Sequence, residues 1–276
     1  MTTLCVSAET LALLGLLVAA VTFPLRLLRP DRDYTAWGKR GILLGAGLQG
    51  MGLLAHFVRR GQGPLGDWAN VSFLLVLLLA VAVVFVERYA KRPAIAAFIT
   101  PVMFCVAGLG VLRAARVLPE ISNHWLVVHI VLSLMAYACF ALAFAMASSY
   151  LISDHLLKRK QLERLPLLPP LASADRVGHG SVMIGLSLFT VSLLVGLLTF
   201  WDLGSGVDPK IPAAALTWCV YAAYLVLRHL AGWRGRRLQW VLVAGFAMVI
   251  ITFAFFGHNA TRLKAHEQAP AAMDRA

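Results

Sequence analysis

The sequence predicts an all-α, polytopic membrane protein, a bundle of about eight transmembrane helices with both termini outside. Three observations carry that expectation. Of 276 residues, 60% are apolar or aromatic and only 14% are charged, whereas a soluble domain is about 45–50% apolar and about 25% charged. Mean hydropathy is +0.77. The apolar residues gather into eight runs, each near the roughly 20 residues that a bilayer-spanning helix needs. A soluble globule and a disordered chain are both excluded by this composition, and the strict alternation of barrel strands is absent.

The elements follow in order. The first helix is expected over residues 7–25, and no Lys or Arg precedes Arg26. A signal peptide needs a positive region ahead of its apolar core, so this segment is read as a retained helix that starts outside. The second, 41–58, contains Gly41-x-x-x-Gly45 with Gly47, Gly50 and Gly52 close behind, small residues that permit close helix packing. The third, 71–86, and the seventh, 213–227, are short and borrow flanking residues. Runs at 94–112, 125–151, 181–200 and 238–256 complete the set. The longest connection, 152–180, carries Pro166, Pro169 and Pro170 and leaves no room for a folded domain, so residues 1–276 are read as one membrane domain.

A formal charge of +12 would suggest nucleic acid in a soluble protein, but its distribution argues for orientation instead. The first-to-second connection holds Arg26, Arg29, Arg32, Lys39 and Arg40, and the third-to-fourth holds Arg88, Lys91 and Arg92. The fifth-to-sixth holds Lys158, Arg159, Lys160, Arg164 and Arg176, and the seventh-to-eighth holds Arg228, Arg234, Arg236 and Arg237. That places 17 of the 25 basic residues on one side, which the positive-inside rule assigns to the cytoplasm. Some contact with anionic lipid is expected there, and no nucleic-acid role.

Cys5, Cys105, Cys139 and Cys219 are widely separated and form no CxxC, so thiol exchange is not expected and they read as small packing residues. The eight histidines are sorted by orientation. His155, His179 and His229 fall beside basic residues on the cytoplasmic side, while His56, His124, His129, His258 and His266 fall on the outer side. His56 ends the second helix, His129 lies one turn inside the fifth, and His258 follows the eighth. Ionisable groups in a membrane are costly and functional by default, and neutral imidazole is a good axial ligand for haem iron. Trp201, Asp208 and Trp218 fall on the same side. The tryptophans suit the interfacial belt, and Asp208-Pro209 suits a turn or helix start.

These residues resemble a known family. Asp208-Pro209-Lys210, then Trp218, Tyr221, Tyr224, Leu225 and Arg228, look like the second half of the WWD segment of CcsA- and CcmC-type cytochrome c assembly proteins. Trp125-Leu126-Val127-Val128-His129, with Ser133 and Tyr137, resembles the family's WLxxH segment. His56 with Gly61 and Pro64 is similar to its early histidine and following loop, and Gly257, Asn259 and His266 to its C-terminal end. The family's two tryptophans before the aspartate are Ser205 and Val207 here, and its glutamate after the lysine is Ile211. Such a weakened loop resembles the HemX and YpjD branch.

The resemblance implies a haem-binding or haem-handling protein of the bacterial inner membrane, related to cytochrome c assembly; the residues themselves suggest no enzyme, because the outer loops offer no hydroxyl with an evident base partner. It implies haem b ligated by His129 and by His258 or His266, a further ligand at His56, and lining by Trp201, Asp208 and Trp218. Arg59, Arg60 and Lys210 are the cations available to its propionates. Partners would be haem, the bilayer and other cytochrome c maturation or haem-synthesis proteins. The other reading is a HemX-like scaffold or regulator of haem biosynthesis that keeps the fold without binding haem. A solute transporter has less support, because no inverted repeat is visible.

Overall fold

The computed structural model describes residues 2–29, 31–60, 68–90, 94–112, 124–201 and 210–255. They form eight α-helices: α1 (Thr2–Leu28), α2 (Thr35–Arg60), α3 (Trp68–Ala90), α4 (Ala94–Leu112), α5 (His124–Lys158), α6 (Leu171–Trp201), α7 (Lys210–His229) and α8 (Arg236–Phe255). The order matches the eight apolar runs, and no strand occurs among the described residues. Seven of the helices contain a stretch long and apolar enough to cross a membrane. The remaining one, α2, is rich in glycine and carries Gln49 and His56 along its length. The chain is a multi-pass membrane protein.

Two helices extend well beyond their apolar runs. α5 has 35 residues and ends at Lys158, and α6 begins at Leu171, ten residues before the expected start at Ser181. The connection therefore shrinks to a short 3-10 helix, Leu162–Leu167, closed by Leu168 packing on Leu156. Pro169 and Pro170 sit just before α6. Pro170 O accepts from the Ser173 and Ala174 amides, so the prolines start the helix, where a missing N–H costs nothing. Polar residues in the added turns of α6, Asp175 and His179, are what hid this extension from a hydropathy reading.

The helices pack as two groups. α1 lies along α2 and against α4, and α3 packs on α4. α5 and α6 form the most extensive pair, with α7 and α8 beside them, and α5 joins the groups through α3 and α4. Phe140 is central to the second group: its ring stacks on Tyr221 of α7 at 3.8 Å and meets Phe189 of α6 edge-on at 5.8 Å. Phe144 likewise stacks on Phe246 of α8 at 4.7 Å. Such ring pairs add about 0.5–1.5 kcal/mol each beyond the area they bury.

The α1–α2 contact shows which of the glycines matter. A methyl group built on Gly41 would lie 2.5 Å from Gly15 O and 3.0 Å from Ala19 N, and one on Gly45 would lie 2.6 Å from Leu16 Cγ. The backbones meet because no side chain intervenes. Gly47 and Gly52 were expected to serve the same purpose, but a methyl at either meets nothing within 4 Å, and at Gly50 only Leu77 at 3.7 Å. They fall off the face that α1 covers. Gly41→Ala is thus expected to destabilise by about 1–3 kcal/mol through overpacking, and Gly47→Ala to be neutral or stabilising. Thermal unfolding of the two variants in detergent checks the contrast.

At the start of α2, Asp33 accepts from the Thr35 amide at 2.9 Å and the Thr35 hydroxyl at 2.6 Å. These bonds hold its carboxyl below the ordinary value, with a smaller contribution from Arg26 at 3.1 Å. The amide bond satisfies one of the donors that a helix start leaves open.

Candidate functional site

His129 lies in the second turn of α5, half-buried against α6. Its Nδ1 is 2.6 Å from Ser192 O, a backbone carbonyl of α6. A carbonyl only accepts, so Nδ1 is the protonated nitrogen and donates this bond. Ser192 Oγ is 2.9 Å from His129 O, to which it donates, and 2.6 Å from Ser133 Oγ. One consistent network follows: Ser133 donates to Ser192, Ser192 to the His129 carbonyl, and the imidazole back to the Ser192 carbonyl.

The ring approaches α6 this closely because of Gly196, one turn beyond Ser192. A methyl group there would sit 2.7 Å from both Nδ1 and Cε1 of His129. The ring lies on bare backbone. A ligating histidine almost always donates its other ring nitrogen to a carbonyl or carboxylate, and that bond fixes orientation and raises basicity. His129 is built in this way. Trp125, one turn toward the helix start, is 65% exposed and offers an apolar surface on the same side of α5.

Trp218 of α7 also leans on α6. Its Nε1–H donates to Thr190 Oγ1 at 2.9 Å. Residues 190 and 192 differ by about 200° around a helix, so Trp218 and His129 meet α6 at one depth but on nearly opposite faces. A group touching both would have to reach over the end of α6. His56 is in the last turns of α2, which packs on α1 and α3, whereas α5 packs on α6, α8, α3 and α4. α3 thus stands between the two histidine-bearing helices. The His56 and Trp201 side chains lie outside the described residues, as do Asp208, His258 and His266. α8, which packs on α5, ends at Phe255, three residues before His258. Among the described residues no three His, Cys, Asp or Glu side chains are grouped to hold a metal ion.

A second polar cluster occupies the opposite end of the bundle. Arg228 of α7 donates to both Asp175 oxygens of α6, at 2.9 and 2.8 Å, and Gln239 of α8 donates to Asp175 Oδ1 at 2.9 Å. Three helices are tied by one carboxylate. Arg228 Nη1 is also 3.4 Å from Tyr224 Oη. His179, expected at the interface, sits inside α6 and is half-buried, with its ring 5.3 Å from that of His229 and 6.1 Å from Tyr224. Sequence reasoning picked out Arg228, Tyr221 and Tyr224 by resemblance but missed Asp175 and Gln239. It also missed Ser192 and Gly196, whose spacing of four along α6 was the available signal. Cys105 and Cys219 are exposed and Cys139 half-buried, and none of the three forms a disulfide.

Comparison with known proteins adds to this geometry. Residues 65–266 match the family model for cytochrome C assembly protein. The inner membrane protein YpjD of Escherichia coli strain K12 is 34% identical over 164 residues, 57% of this chain and 61% of YpjD, so the match spans less than two thirds of that relative. The cytochrome c biogenesis protein CcsA of Synechococcus sp. strain RCC307 is 25% identical over 246 residues, 78% of each chain. Among solved structures, the cytochrome c haem lyase CcmF is similar with a TM-score of 0.65 and 17% identity, covering 93% of this chain and 47% of CcmF. At that identity the likeness is one of fold. His129, Asp208, Trp218, His258 and His266 all lie inside the matched span, and His56 precedes it.

Proposed function

We propose, from the premise that this chain belongs to the cytochrome c assembly protein family, that it binds haem near the outer ends of α5 and α8 and handles it for cytochrome c biogenesis. The observation that supports this most is the contact of His129 Nδ1 with Ser192 O at 2.6 Å, which commits that nitrogen to the protein and makes Nε2 the ring atom that would meet the iron. When bound, haem supplies an iron that takes axial nitrogen. His129, together with His258 or His266, would hold the iron, with haem b as the cofactor type. His56 would be a further ligand for haem, Trp201, Asp208 and Trp218 would line its path, and Arg59, Arg60 or Lys210 would pair with the propionates.

With 17 of 25 basic residues on the opposite end, the haem end would face outside, in a bacterial inner membrane. YpjD carries that location in its name. One relative in fold, CcmF, is named a haem lyase, so family membership does not by itself support a non-enzymatic role.

The test is an absorption spectrum of the detergent-solubilised protein expressed with haem available. A Soret band with bis-imidazole character is expected. A protein that purifies without pigment and cannot be reconstituted overturns the proposal in favour of a scaffold or regulator of haem biosynthesis, a reading that Ser205 and Val207, in place of the family's tryptophans, favour. A finer test uses the support beneath the ligand. Gly196→Ala places a methyl against the imidazole and disrupts its bond to Ser192 O, so haem affinity should fall about 10–100-fold while the helical fold is retained by circular dichroism.

A further inference from the structure

The turn between α7 and α8, residues 230–235, is closed by its backbone and leaves its side chains bare. The Trp233 amide donates to Leu227 O at 2.9 Å, which folds the chain back over the end of α7. Gly232 and Gly235 take φ of +65° and +76°, the left-handed conformation that glycine adopts freely. A methyl group on Gly235 would lie 3.5 Å from Tyr150 Oη, so the turn is seated on α5. Leu230 is 83% exposed, Trp233 40%, and Trp240, one turn into α8, 53%. Arg234, Arg236 and Arg237 are exposed among them.

The acids at this end of the bundle are engaged elsewhere. Asp175 holds Arg228 and Asp154 holds Lys158, both at 2.8 Å, Asp33 holds Arg26 at 3.1 Å, and Glu87 faces Lys39 at 3.6 Å. No ion pair or hydrogen bond of the described side chains reaches Arg234, Arg236 or Arg237, and residues 229–255 contain no Asp or Glu. Three guanidiniums within four residues repel one another, and an anion from outside the chain relieves that. Arg236 and Arg237 precede Trp240 by four and three positions and share a helix face with it, the indole lying about 4.5–6 Å further along the axis. Beyond it the same face continues through Ala244 and Ala247, both exposed. Cations, then an interfacial indole, then an apolar track is the order in which a phospholipid presents its phosphate, its ester region and its acyl chain.

We propose that this turn binds an anionic phospholipid. Arg234, Arg236 and Arg237 hold its phosphate, and an acyl chain runs past Trp240 along Ala244 and Ala247. The sorting of basic residues that orients the chain does not require three of them to share one turn with two tryptophans. The exposed indoles select a lipid over free phosphate. A zwitterionic headgroup brings an ammonium into a turn that has only cations to offer it, so it is disfavoured.

Native mass spectrometry of the delipidated full chain, with glycerol, choline and ethanolamine phospholipids of matched acyl chains added singly, tests this. The anionic glycerol lipid should bind on the order of tenfold more tightly than either zwitterionic lipid. The triple variant Arg234→Gln, Arg236→Gln, Arg237→Gln should lose that preference, and Trp240→Ala should loosen all three lipids. A control that removes equal charge elsewhere at the same end, Arg29→Gln, Arg32→Gln, Arg159→Gln, should keep the preference. Inorganic phosphate at matched ionic strength should not displace the lipid, and circular dichroism of each variant separates lost binding from lost fold. Equal binding of the three lipids by the parent protein, equal loss in the two triple variants, unchanged retention in Trp240→Ala, or displacement by phosphate overturns the proposal.

Discussion

His129→Ala should lose the haem Soret band. Its imidazole is the one group among the described residues whose partners match those of a ligating histidine: Nδ1 at 2.6 Å from Ser192 O, and the ring on the bare backbone of Gly196. Removing a ligand's hydrogen-bond partner alone costs about 10–100-fold in metal affinity, so removing the ligand itself should cost at least that. His129→Gly should recover the band when free imidazole is added, because the cavity left between α5 and α6 keeps the Ser192 carbonyl as acceptor. His155→Ala, exposed at the opposite end of the same helix, is the control and should keep full occupancy. Full occupancy in His129→Ala would remove this residue from the site.

Asp175→Ala should be the most destabilising of the single substitutions considered. Arg228 has only 14% of its side chain exposed and spends two N–H groups on Asp175. Without the carboxylate, a largely buried guanidinium is left with the Tyr224 hydroxyl at 3.4 Å, and the Gln239 amide loses its acceptor. Removing one partner of a buried ion pair costs about 3–5 kcal/mol. Asp175→Asn keeps an acceptor for Gln239 and should lose less, whereas Arg228→Lys loses the bidentate geometry. The readouts are thermal unfolding in detergent and yield of folded protein. A midpoint for Asp175→Ala within about 1 °C of the parent would show that the cluster contributes nothing to holding α6, α7 and α8 together.

The two clusters show where sequence reasoning reached and where it stopped. His129 was legible because an imidazole one turn inside an apolar run is costly wherever it points. Its acceptor was not legible, because Ser192 contributes a backbone carbonyl, which every residue has, and Gly196 contributes the absence of a side chain. Arg228 stood out as a cation at a helix end and was counted toward orientation. Its pairing with Asp175, 53 positions earlier, depends on the α6 start that polar residues concealed. Among the α2 glycines, spacing alone suggested five packing positions. Only the direction from which α1 approaches separates Gly41 and Gly45 from Gly47, Gly50 and Gly52.

What the sequence by itself determined is the one-dimensional part of the problem. A bilayer requires about 20 apolar residues per crossing and satisfied backbone groups throughout, so the number of helices, their order and the grouping of the basic loops follow from composition along the chain. The tertiary structure alone decided which helices touch, and therefore which polar groups find partners. Lipid tails are as apolar as leucine, so the packing of one transmembrane helix on another is set by close backbone approach and a few hydrogen bonds. These are properties of pairs of helices, and a reading along one chain does not contain them.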